Sequence, residues 1–320
     1  MMTRPKVIVT RRWPLEVEER LASQFDVRLN ETDRPYNRSE LRLALQEADA
    51  VLPTVSDRLG AELFAGNVQA KILGNFGVGY NHIDIAAAKT AGVVVTNTPA
   101  VLTDATADLA MTLLLMCARR AREGERELRS GKWTGWRPTH LCGTQVTGKT
   151  IGIIGMGRIG QAMARRCHHG FGMDVVFYDS QPVADPGMPA RQLATVDDVL
   201  AAADFVSLHC PGGGENHYLI NSRRLNCMKK SAFLINTARG DVIDERALVN
   251  ALDEGRIAGA GLDVFETEPV VPRSLTERDD VVLLPHLGSA TNETRIAMGM
   301  RVIDNLTAFF EGRSPPDAVN

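Results

Sequence analysis

A glycine-rich turn between a strand and a helix constrains the fold of this chain more than any other feature. The predicted strand Thr150–Ile154 runs directly into the sequence GMGRIG at residues 155–160, and a helical stretch follows. Gly155 permits the tight turn, Gly157 lets the backbone approach a pyrophosphate, and Gly160 lets the helix pack against the strand. Because the helix N-terminus offers free N–H groups and a positive dipole end to phosphates, the turn predicts a dinucleotide-binding α/β domain.

An acidic residue at the end of the next predicted strand bears on which dinucleotide is bound. The strand Asp174–Tyr178 leads into Asp179. A carboxylate at this position can accept hydrogen bonds from the adenosine ribose hydroxyls, and it would repel a 2′-phosphate. No Arg follows within Ser180–Pro182. We therefore expect NAD(H) in preference to NADP(H), although Asp179 could also be a solvated turn residue.

Short apolar runs alternate with helical stretches in two series, which predicts two parallel α/β units. The first series has predicted strands at Lys6–Thr10, Asp26–Leu29, Ala50–Pro53, Lys71–Asn75 and Val93–Thr96. Its predicted helices are Leu15–Gln24, Ser39–Ala48 and Ile83–Ala91. The second series has predicted strands at Thr150–Ile154, Asp174–Tyr178, Phe205–Leu208, Ala232–Asn236, Gly259–Leu262 and Val281–Leu284. Its predicted helices are Gly160–Cys167, Val196–Ala202 and Glu245–Glu254.

One more helical stretch, Asn292–Glu311, follows the second series, and we expect it to return to the first domain. The chain would then cross between domains near Pro99 and near Gly288. This predicts an α/β fold of two doubly wound parallel-sheet (Rossmann-like) domains with an active-site cleft between them. Residues 1–99 and 289–320 would form a flavodoxin-like substrate-binding domain, and residues 100–288 a dinucleotide-binding Rossmann domain.

Composition excludes several other classes of protein. The 320 residues carry 36 Lys and Arg against 39 Asp and Glu, so nothing in the charge balance calls for nucleic acid or an anionic membrane as a partner. The longest apolar run, Leu109–Ala118, is far shorter than the ~20 residues of a membrane-spanning helix. The N-terminal segment does not resemble a signal peptide. The five cysteines form no CxxC pair, so we expect reduced thiols in a cytoplasmic protein, without disulfides or a bound metal.

Three later segments place a polar residue after a predicted strand. Arg239 follows the strand ending at Asn236, Glu268 lies in DVFETEP after the next strand, and His286 follows the last strand. Singly, they could be a surface ion pair, a loop acid and a turn residue. Together they suit hydride transfer to a 2-keto acid, since Arg binds a carboxylate through two N–H groups and His can protonate the ketone oxygen. Glu268 would orient the imidazole and favour its protonated form.

The motifs resemble those of the D-isomer-specific 2-hydroxyacid dehydrogenases over nearly the full chain. The matching segments are GxGxxG from Gly155, NTARG at Asn236–Gly240, DVFETEP at Asp263–Pro269 and PHLGSAT at Pro285–Thr291. Within this family the chain most resembles the glyoxylate/hydroxypyruvate reductase branch. That similarity is carried by Leu73–Asp84, Thr98–Leu115 and Gly131–Gly143.

The resemblance implies roles for individual residues. Arg239, Glu268 and His286 match the family's catalytic set, and the backbone N–H groups of Val78 and Gly79 match its carboxylate-binding loop. In related reductases a Trp from the partner subunit's loop reaches the active site. Trp136 matches it best, although it could simply pack in the core or at the dimer contact. The positions that match dinucleotide contacts are Thr106, Arg158, Ile159, His209, Pro211, Thr237, Ala238, Arg239, Asp263, His286 and Gly288.

The resemblance also implies finer details of the cofactor site and the assembly. Asp263 would bind the nicotinamide carboxamide. Family members are typically homodimers, and Ala107–Trp133 matches the helical region that joins the two subunits. The turn Pro211–Asn216 departs from the family pattern, which often has a Pro-x-Thr-x-x-Thr-like turn at this place.

We therefore expect an NADH-dependent oxidoreductase that reduces glyoxylate or hydroxypyruvate to glycolate or D-glycerate, with His286 as acid/base. Two alternatives remain open at this stage. The same chemistry could act on another 2-keto acid, because pocket size is poorly fixed by sequence. A protein of this fold could also be an NAD(H)-sensing co-regulator that retains the catalytic residues.

Overall fold

The computed structural model describes residues 4–320, which divide into two compact units. One unit contains the described residues up to Leu102 together with Ser289–Asn320, and the other is Thr103–Gly288. The chain leaves the first unit slightly later than the predicted Pro99, because Val101 and Leu102 pack against the core of the first unit.

The first unit is built on a five-stranded parallel sheet of order β2-β1-β3-β4-β5. Its strands are β1 (Lys6–Val9), β2 (Asp26–Arg28), β3 (Ala50–Leu52), β4 (Ile72–Gly74) and β5 (Val94–Thr96). Its helices are α1 (Leu15–Gln24), α2 (Arg38–Glu47), α3 (Ala61–Phe64), α4 (Ile85–Thr90) and, at the end of the chain, α12 (Asn292–Phe310). The four-residue helix α3 has no counterpart in the sequence prediction.

The second unit is built on a seven-stranded sheet of order β12-β11-β10-β9-β6-β7-β8, and its strands also pair in parallel. Its strands are β6 (Thr150–Ile154), β7 (Asp174–Tyr178), β8 (Arg191–Gln192), β9 (Phe205–Leu208), β10 (Phe233–Asn236), β11 (Gly259–Leu262) and β12 (Val281–Leu283). Its helices are α5 (Thr103–Ala118), α6 (Ala121–Arg129), α7 (Arg158–Arg165), α8 (Val196–Ala202), α9 (Ser222–Leu225), α10 (Glu245–Asp253) and α11 (Arg273–Thr276). The predicted fold class, two parallel-sheet α/β domains, is confirmed.

Differences from the predicted elements lie mainly at their ends. Strand β8 is two exposed residues with no apolar run, so local patterning does not reveal it. Helix α7 begins at Arg158 rather than Gly160 and continues into a π-helical turn at Arg166–Gly170. The apolar run that includes Leu113 and Leu114 is a buried face of α5. Within residues 4–320, no helix is long and apolar enough to cross a membrane.

The sheet order of the second unit determines where its functional residues meet. Strand β6 lies between β7 and β9, so successive connections leave it toward opposite sides, and ligands of such sheets bind outside the carboxyl ends of the strands at this point. Strands β10, β11 and β12 are neighbours in the same sheet. Their carboxyl ends therefore bring Arg239, the 263–268 segment and His286 to one edge.

The C-terminal helix α12 belongs to the first unit and packs against its core. Met298, Val302 and Leu306 are buried there. Gly299 faces α1 so closely that an added Cβ would lie 2.5 Å from Val17 Cγ1. The missing side chain is what allows α1 and α12 to approach each other.

We expect Gly299→Ala to destabilise the protein by about 1–3 kcal/mol, because the new methyl group would force α1 and α12 apart. Urea unfolding of the variant and the unchanged protein measures this difference. The matched control is Gly124→Ala in α6, where an added Cβ has ordinary contact distance, 3.7 Å, to Leu141 Cδ1. The control should leave the free energy of unfolding unchanged or slightly raised, and an equal loss in both variants would contradict the packing argument.

Candidate active site

The glycine-rich turn has a geometry that suits a phosphate group. Gly155 has φ +92°, a left-handed conformation, and an added Cβ would lie 2.7 Å from Cys210 N. At Gly160 an added Cβ would lie 2.1 Å from the Gly155 carbonyl oxygen, so α7 packs directly on the turn. At Gly157 an added Cβ would meet no atom within 4 Å. The middle glycine thus borders open space at the N-terminus of α7, beside the exposed Arg158 and the half-buried Ile159.

Asp179 lies beside this turn and also holds it. Its Oδ2 accepts the Met156 N–H at 2.8 Å, and its Oδ1 accepts the Gln181 N–H at 3.1 Å. The carboxylate therefore links the end of β7 to the glycine-rich turn that follows β6. This structural role is not visible in the sequence, which suggests either ribose recognition or a solvated turn residue for Asp179.

The turn after β10 contains an unpartnered buried hydroxyl. Thr237 is buried, and its Oγ1 has no hydrogen-bond partner within residues 4–320. Asn236 shapes the turn, since its Oδ1 accepts the Ala238 N–H at 3.0 Å and its Nδ2 donates to the Arg239 carbonyl at 2.8 Å. An unpartnered hydroxyl at a strand end and an open glycine at a helix N-terminus fit a nicotinamide dinucleotide.

His286 and Glu268 form a hydrogen-bonded pair. The His286 Nδ1 donates to Glu268 Oε2 at 2.8 Å, and the two side chains are 31% and 35% exposed. Glu268 Oε1 accepts the Phe265 N–H at 3.1 Å. Burial raises the pKa of Glu268, but the hydrogen bonds from His286 and the Phe265 N–H and the charges of His286 and Arg239 together outweigh burial, and the net pKa is lowered. The pair therefore keeps an ionised carboxylate against one ring nitrogen and leaves Nε2 for another partner.

The loop that carries His286 is held by Asp263. The His286 N–H donates to the Asp263 carbonyl at 2.8 Å, and the Asp263 carboxylate accepts the N–H groups of Leu287 (2.6 Å) and Gly288 (2.8 Å). His286 itself has φ +55°. Asp263 is fully buried, and burial raises its pKa to about 6 against the effect of these hydrogen bonds. The sequence did not indicate this anchoring role, and the contact with a nicotinamide carboxamide remains a prediction.

Arg239 is a partly buried cation at the same edge of the sheet. Its Nη1 donates to the Ala238 carbonyl at 2.6 Å. Burial lowers the pKa of Arg239, while the charges of Glu268 and Asp241 oppose that shift. A guanidinium nevertheless stays charged at neutral pH, so the site holds a permanent cation beside the His286–Glu268 pair.

Other predicted cofactor contacts lie close to this edge. An added Cβ at Gly288 would lie 3.4 Å from Asp263 Oδ2 and 3.5 Å from Thr106 Oγ1, so these residues adjoin each other. After β9, His209 Nε2 is 2.9 Å from Ser207 Oγ, and burial lowers the pKa of His209 to about 4. Pro211 follows on the surface. His209 is thus an uncharged ring at neutral pH.

The remaining predicted site residues lie elsewhere. Val78 and Gly79 belong to the first unit, in a loop after β4 that is fixed by side-chain amides. Asn97 Nδ2 donates to the Val78 carbonyl at 2.8 Å, and Asn75 Nδ2 donates to the Gly79 carbonyl at 3.1 Å. Trp136 is 83% exposed in the segment after α6. Within residues 4–320, no three His, Cys, Asp or Glu side chains are grouped to hold a metal ion.

Comparison with known proteins identifies the family. Residues 111–288 match the family described as D-isomer specific 2-hydroxyacid dehydrogenase, NAD binding domain. Glyoxylate reductase from Thermococcus kodakarensis is 45% identical over 323 residues, which cover 99% of this chain and 96% of the relative. Glyoxylate reductase from Korarchaeum cryptofilum is 42% identical over 320 residues, with coverage of 99% and 96%.

Solved structures agree with these sequence relatives. The NADPH-dependent glyoxylate/hydroxypyruvate reductase from Sinorhizobium meliloti, in complex with NADP and malonate, has a TM-score of 0.89. It is 36% identical in sequence, and the match covers 99% of this chain and 97% of that one. The chain therefore belongs to the D-isomer-specific 2-hydroxyacid dehydrogenase family, and it is an oxidoreductase with an NAD-binding domain.

Proposed function

We propose that the protein reduces glyoxylate or hydroxypyruvate, giving glycolate or D-glycerate, with NADH as the hydride donor. The observation that carries this proposal is the His286–Glu268 hydrogen bond beside Arg239, at the carboxyl edge of the sheet that also bears the glycine-rich turn. The names of the relatives from Thermococcus kodakarensis and Sinorhizobium meliloti support this substrate class.

The side chains at this edge supply what reduction of a 2-keto acid needs. When bound, the nicotinamide supplies hydride to the keto carbon. Protonated His286 donates a proton from Nε2 to the keto oxygen, which gains negative charge in the transition state. Glu268 fixes the ring orientation through its hydrogen bond to Nδ1. The Arg239 guanidinium binds the substrate carboxylate through two N–H groups.

Several residues would hold the dinucleotide in this proposal. The turn at Gly155–Gly160 and the N-terminus of α7 would bind the pyrophosphate, and Asp179 would bind the ribose of the adenosine. Thr106, His209, Pro211, Thr237, Ala238, Asp263 and Gly288 would contact the rest of the cofactor. The buried Thr237 hydroxyl without a partner and the open space at Gly157 support this assignment.

In this proposal the first unit supplies part of the substrate-binding site. The backbone N–H groups of Val78 and Gly79 would bind substrate carboxylate, which assigns substrate binding to the first unit and dinucleotide binding to the second.

The exposed side chains of Leu128, Trp133 and Trp136, in and after α6, support a homodimer whose partner covers this segment. The five cysteines are free thiols, which supports a reducing, cytoplasmic location.

We expect His286→Ala to lower kcat for glyoxylate by about 10²–10⁴-fold, because the keto oxygen loses its proton donor. NADH binding, followed by fluorescence titration, should stay within a few-fold of the unchanged protein. Turnover is followed as loss of NADH absorbance across a panel of 2-keto acids that includes glyoxylate, hydroxypyruvate and larger substrates. His168→Ala is the control, since His168 contacts the Met173 carbonyl outside this edge.

A variant that keeps full turnover would show that His286 is not the acid/base. If a larger 2-keto acid is reduced faster than glyoxylate and hydroxypyruvate, that larger acid is the better substrate and the proposed substrate assignment is wrong. Bound NADH without turnover of any acid in the panel would favour the NAD(H)-sensing co-regulator.

The Glu268 carboxyl should titrate below the ordinary glutamate value of about 4.3, and His286→Ala should raise its pKa toward that value. Because the folded-state pKa is lowered, ionised Glu268 contributes stability above the ordinary value, and this contribution is lost as pH falls through the folded-state pKa. Carbon NMR of labelled glutamate side chains measures both values. Glu245 is an internal control, since burial raises its pKa. A Glu268 pKa above the ordinary value in the unchanged protein would contradict the pairing.

We expect the unchanged protein to prefer NADH, and Asp179→Asn to increase kcat/KM with NADPH relative to NADH about tenfold or more, because a like-charge contact with the 2′-phosphate is removed. Asn can still accept the Met156 N–H that Asp179 holds, so the turn should remain folded. Steady-state kinetics with both reduced cofactors test this. The Sinorhizobium meliloti relative is NADPH-dependent, and a strong NADPH preference here would overturn the assignment.

A further inference from the structure

A buried carboxylate on α10 contacts the segment that carries Glu268. Helix α10 begins at Glu245, directly after Asp244, whose side chain caps the helix by accepting the Ala247 N–H at 2.9 Å. The Glu245 side chain is only 9% exposed, and its Oε1 accepts the Glu266 N–H at 2.7 Å. Burying a carboxylate is unfavourable unless it is hydrogen-bonded, so the bond from the Glu266 N–H is central to how Glu245 is accommodated.

The anchored peptide lies next to the carboxylate that orients His286. Glu266 and Glu268 are separated by one residue, and the Phe265 N–H donates to Glu268 Oε1 at 3.1 Å. Glu268 Oε2 in turn accepts a hydrogen bond from His286 Nδ1 at 2.8 Å. A short series of hydrogen bonds and covalent links therefore connects α10 to the imidazole.

The same peptide is confined from a second side by the loop after Arg239. An added Cβ at Gly240 would lie 1.9 Å from the Phe265 carbonyl carbon and 2.4 Å from Glu266 N, so the two backbones are in direct contact. The Tyr218 hydroxyl also donates to Glu266 Oε1. This hydrogen bond raises the pKa of Tyr218 to about 12, which keeps the hydroxyl a donor. Glu245 thus hydrogen-bonds the Phe265–Glu266 peptide, which the Gly240 backbone contacts directly.

The surroundings of Glu245 oppose its negative charge. Burial raises the pKa of Glu245, and the charges of Glu266 and Glu268 add to that effect, while the Glu266 N–H opposes it. A neutral amide acceptor would avoid this repulsion and could still accept the same N–H. The geometry therefore requires an acceptor at this position, and the acceptor need not be charged.

We propose that Glu245 is a positioning residue for the reduction, which accepts the Glu266 N–H and so holds Glu268 against His286 and beside Arg239. The inference rests on the proposed function, because that function gives Glu268 and His286 their roles. It concerns geometry within the second unit alone.

The test compares Glu245→Ala, which removes the acceptor, with Glu245→Gln, which keeps an acceptor oxygen without the charge. Glu245→Ala should lower kcat for glyoxylate on the order of tenfold with little change in KM for NADH, since the acid/base is misplaced while the dinucleotide turn is untouched. Glu245→Gln should recover most of kcat. In a His286→Ala background the same Glu245→Ala change should have almost no further effect on kcat, because the two residues act through one proton transfer.

The matched control is Glu18→Ala in the first unit. Glu18 is 8% exposed, and its Oε1 accepts the Trp13 N–H at 2.8 Å, so it is the same type of buried anchor outside the proposed site. It should lower the thermal unfolding temperature as much as Glu245→Ala does, with kcat unchanged per folded molecule. Equal loss of kcat in both variants, or an additive loss with His286→Ala, would show that Glu245 has only a structural role.

Hydrogen exchange of the backbone segment 264–268 provides a readout that needs no turnover. Exchange should be faster in Glu245→Ala, and it should match the unchanged protein in Glu245→Gln and Glu18→Ala. Unchanged protection in Glu245→Ala would overturn the inference whatever the kinetics. If the unchanged protein reduces no 2-keto acid, the proposed function fails, and the exchange experiment still decides whether Glu245 holds this segment.

Discussion

Parallel pairing of β10, β11 and β12 is the constraint on which the rest of the candidate site depends. These strands are neighbours and run in the same direction, so the residues that follow them must emerge at one edge. Arg239, the segment with Asp263 and Glu268, and His286 come together for this reason. The sheet brings these residues close together, and the hydrogen bonds at the site then fix their orientations.

The charges gathered at this edge are stabilised by direct partners. Asp263 is fully buried and accepts two loop N–H groups, Glu245 accepts one N–H, and Glu268 accepts one N–H in addition to its bond with His286. Burial disfavours the charged forms of Arg239, Glu245 and Asp263. Glu268 differs because its hydrogen bonds with His286 and the Phe265 N–H, together with the charges of His286 and Arg239, lower its net pKa despite burial. The Glu268 carboxylate, whose pKa is lowered, thus accepts the hydrogen bond of the imidazole.

Most carboxylates at this edge accept hydrogen bonds from backbone N–H groups and so hold loops in place. Asp263 fixes the loop that carries His286, Asp179 fixes the glycine-rich turn, and Glu245 contacts the segment that carries Glu268. None of these contacts joins residues close in sequence. Rigid support of this kind suits the proposed proton transfer, in which His286 must be placed accurately relative to the substrate.

The sequence by itself determined the alternation of strands and helices, the glycine-rich turn and the positions of Arg239, Glu268 and His286 after strands. These features are local: periodicity, the absence of a side chain at a glycine and the order of residues along one strand–turn unit can be read without the fold. The tertiary structure alone decided which backbone N–H groups three carboxylates accept. Asp179 accepts that of Met156, Asp263 accepts those of Leu287 and Gly288, and Glu245 accepts that of Glu266. A side chain bonded to the backbone of a distant segment leaves no local pattern, because its partner is set by strand order and packing.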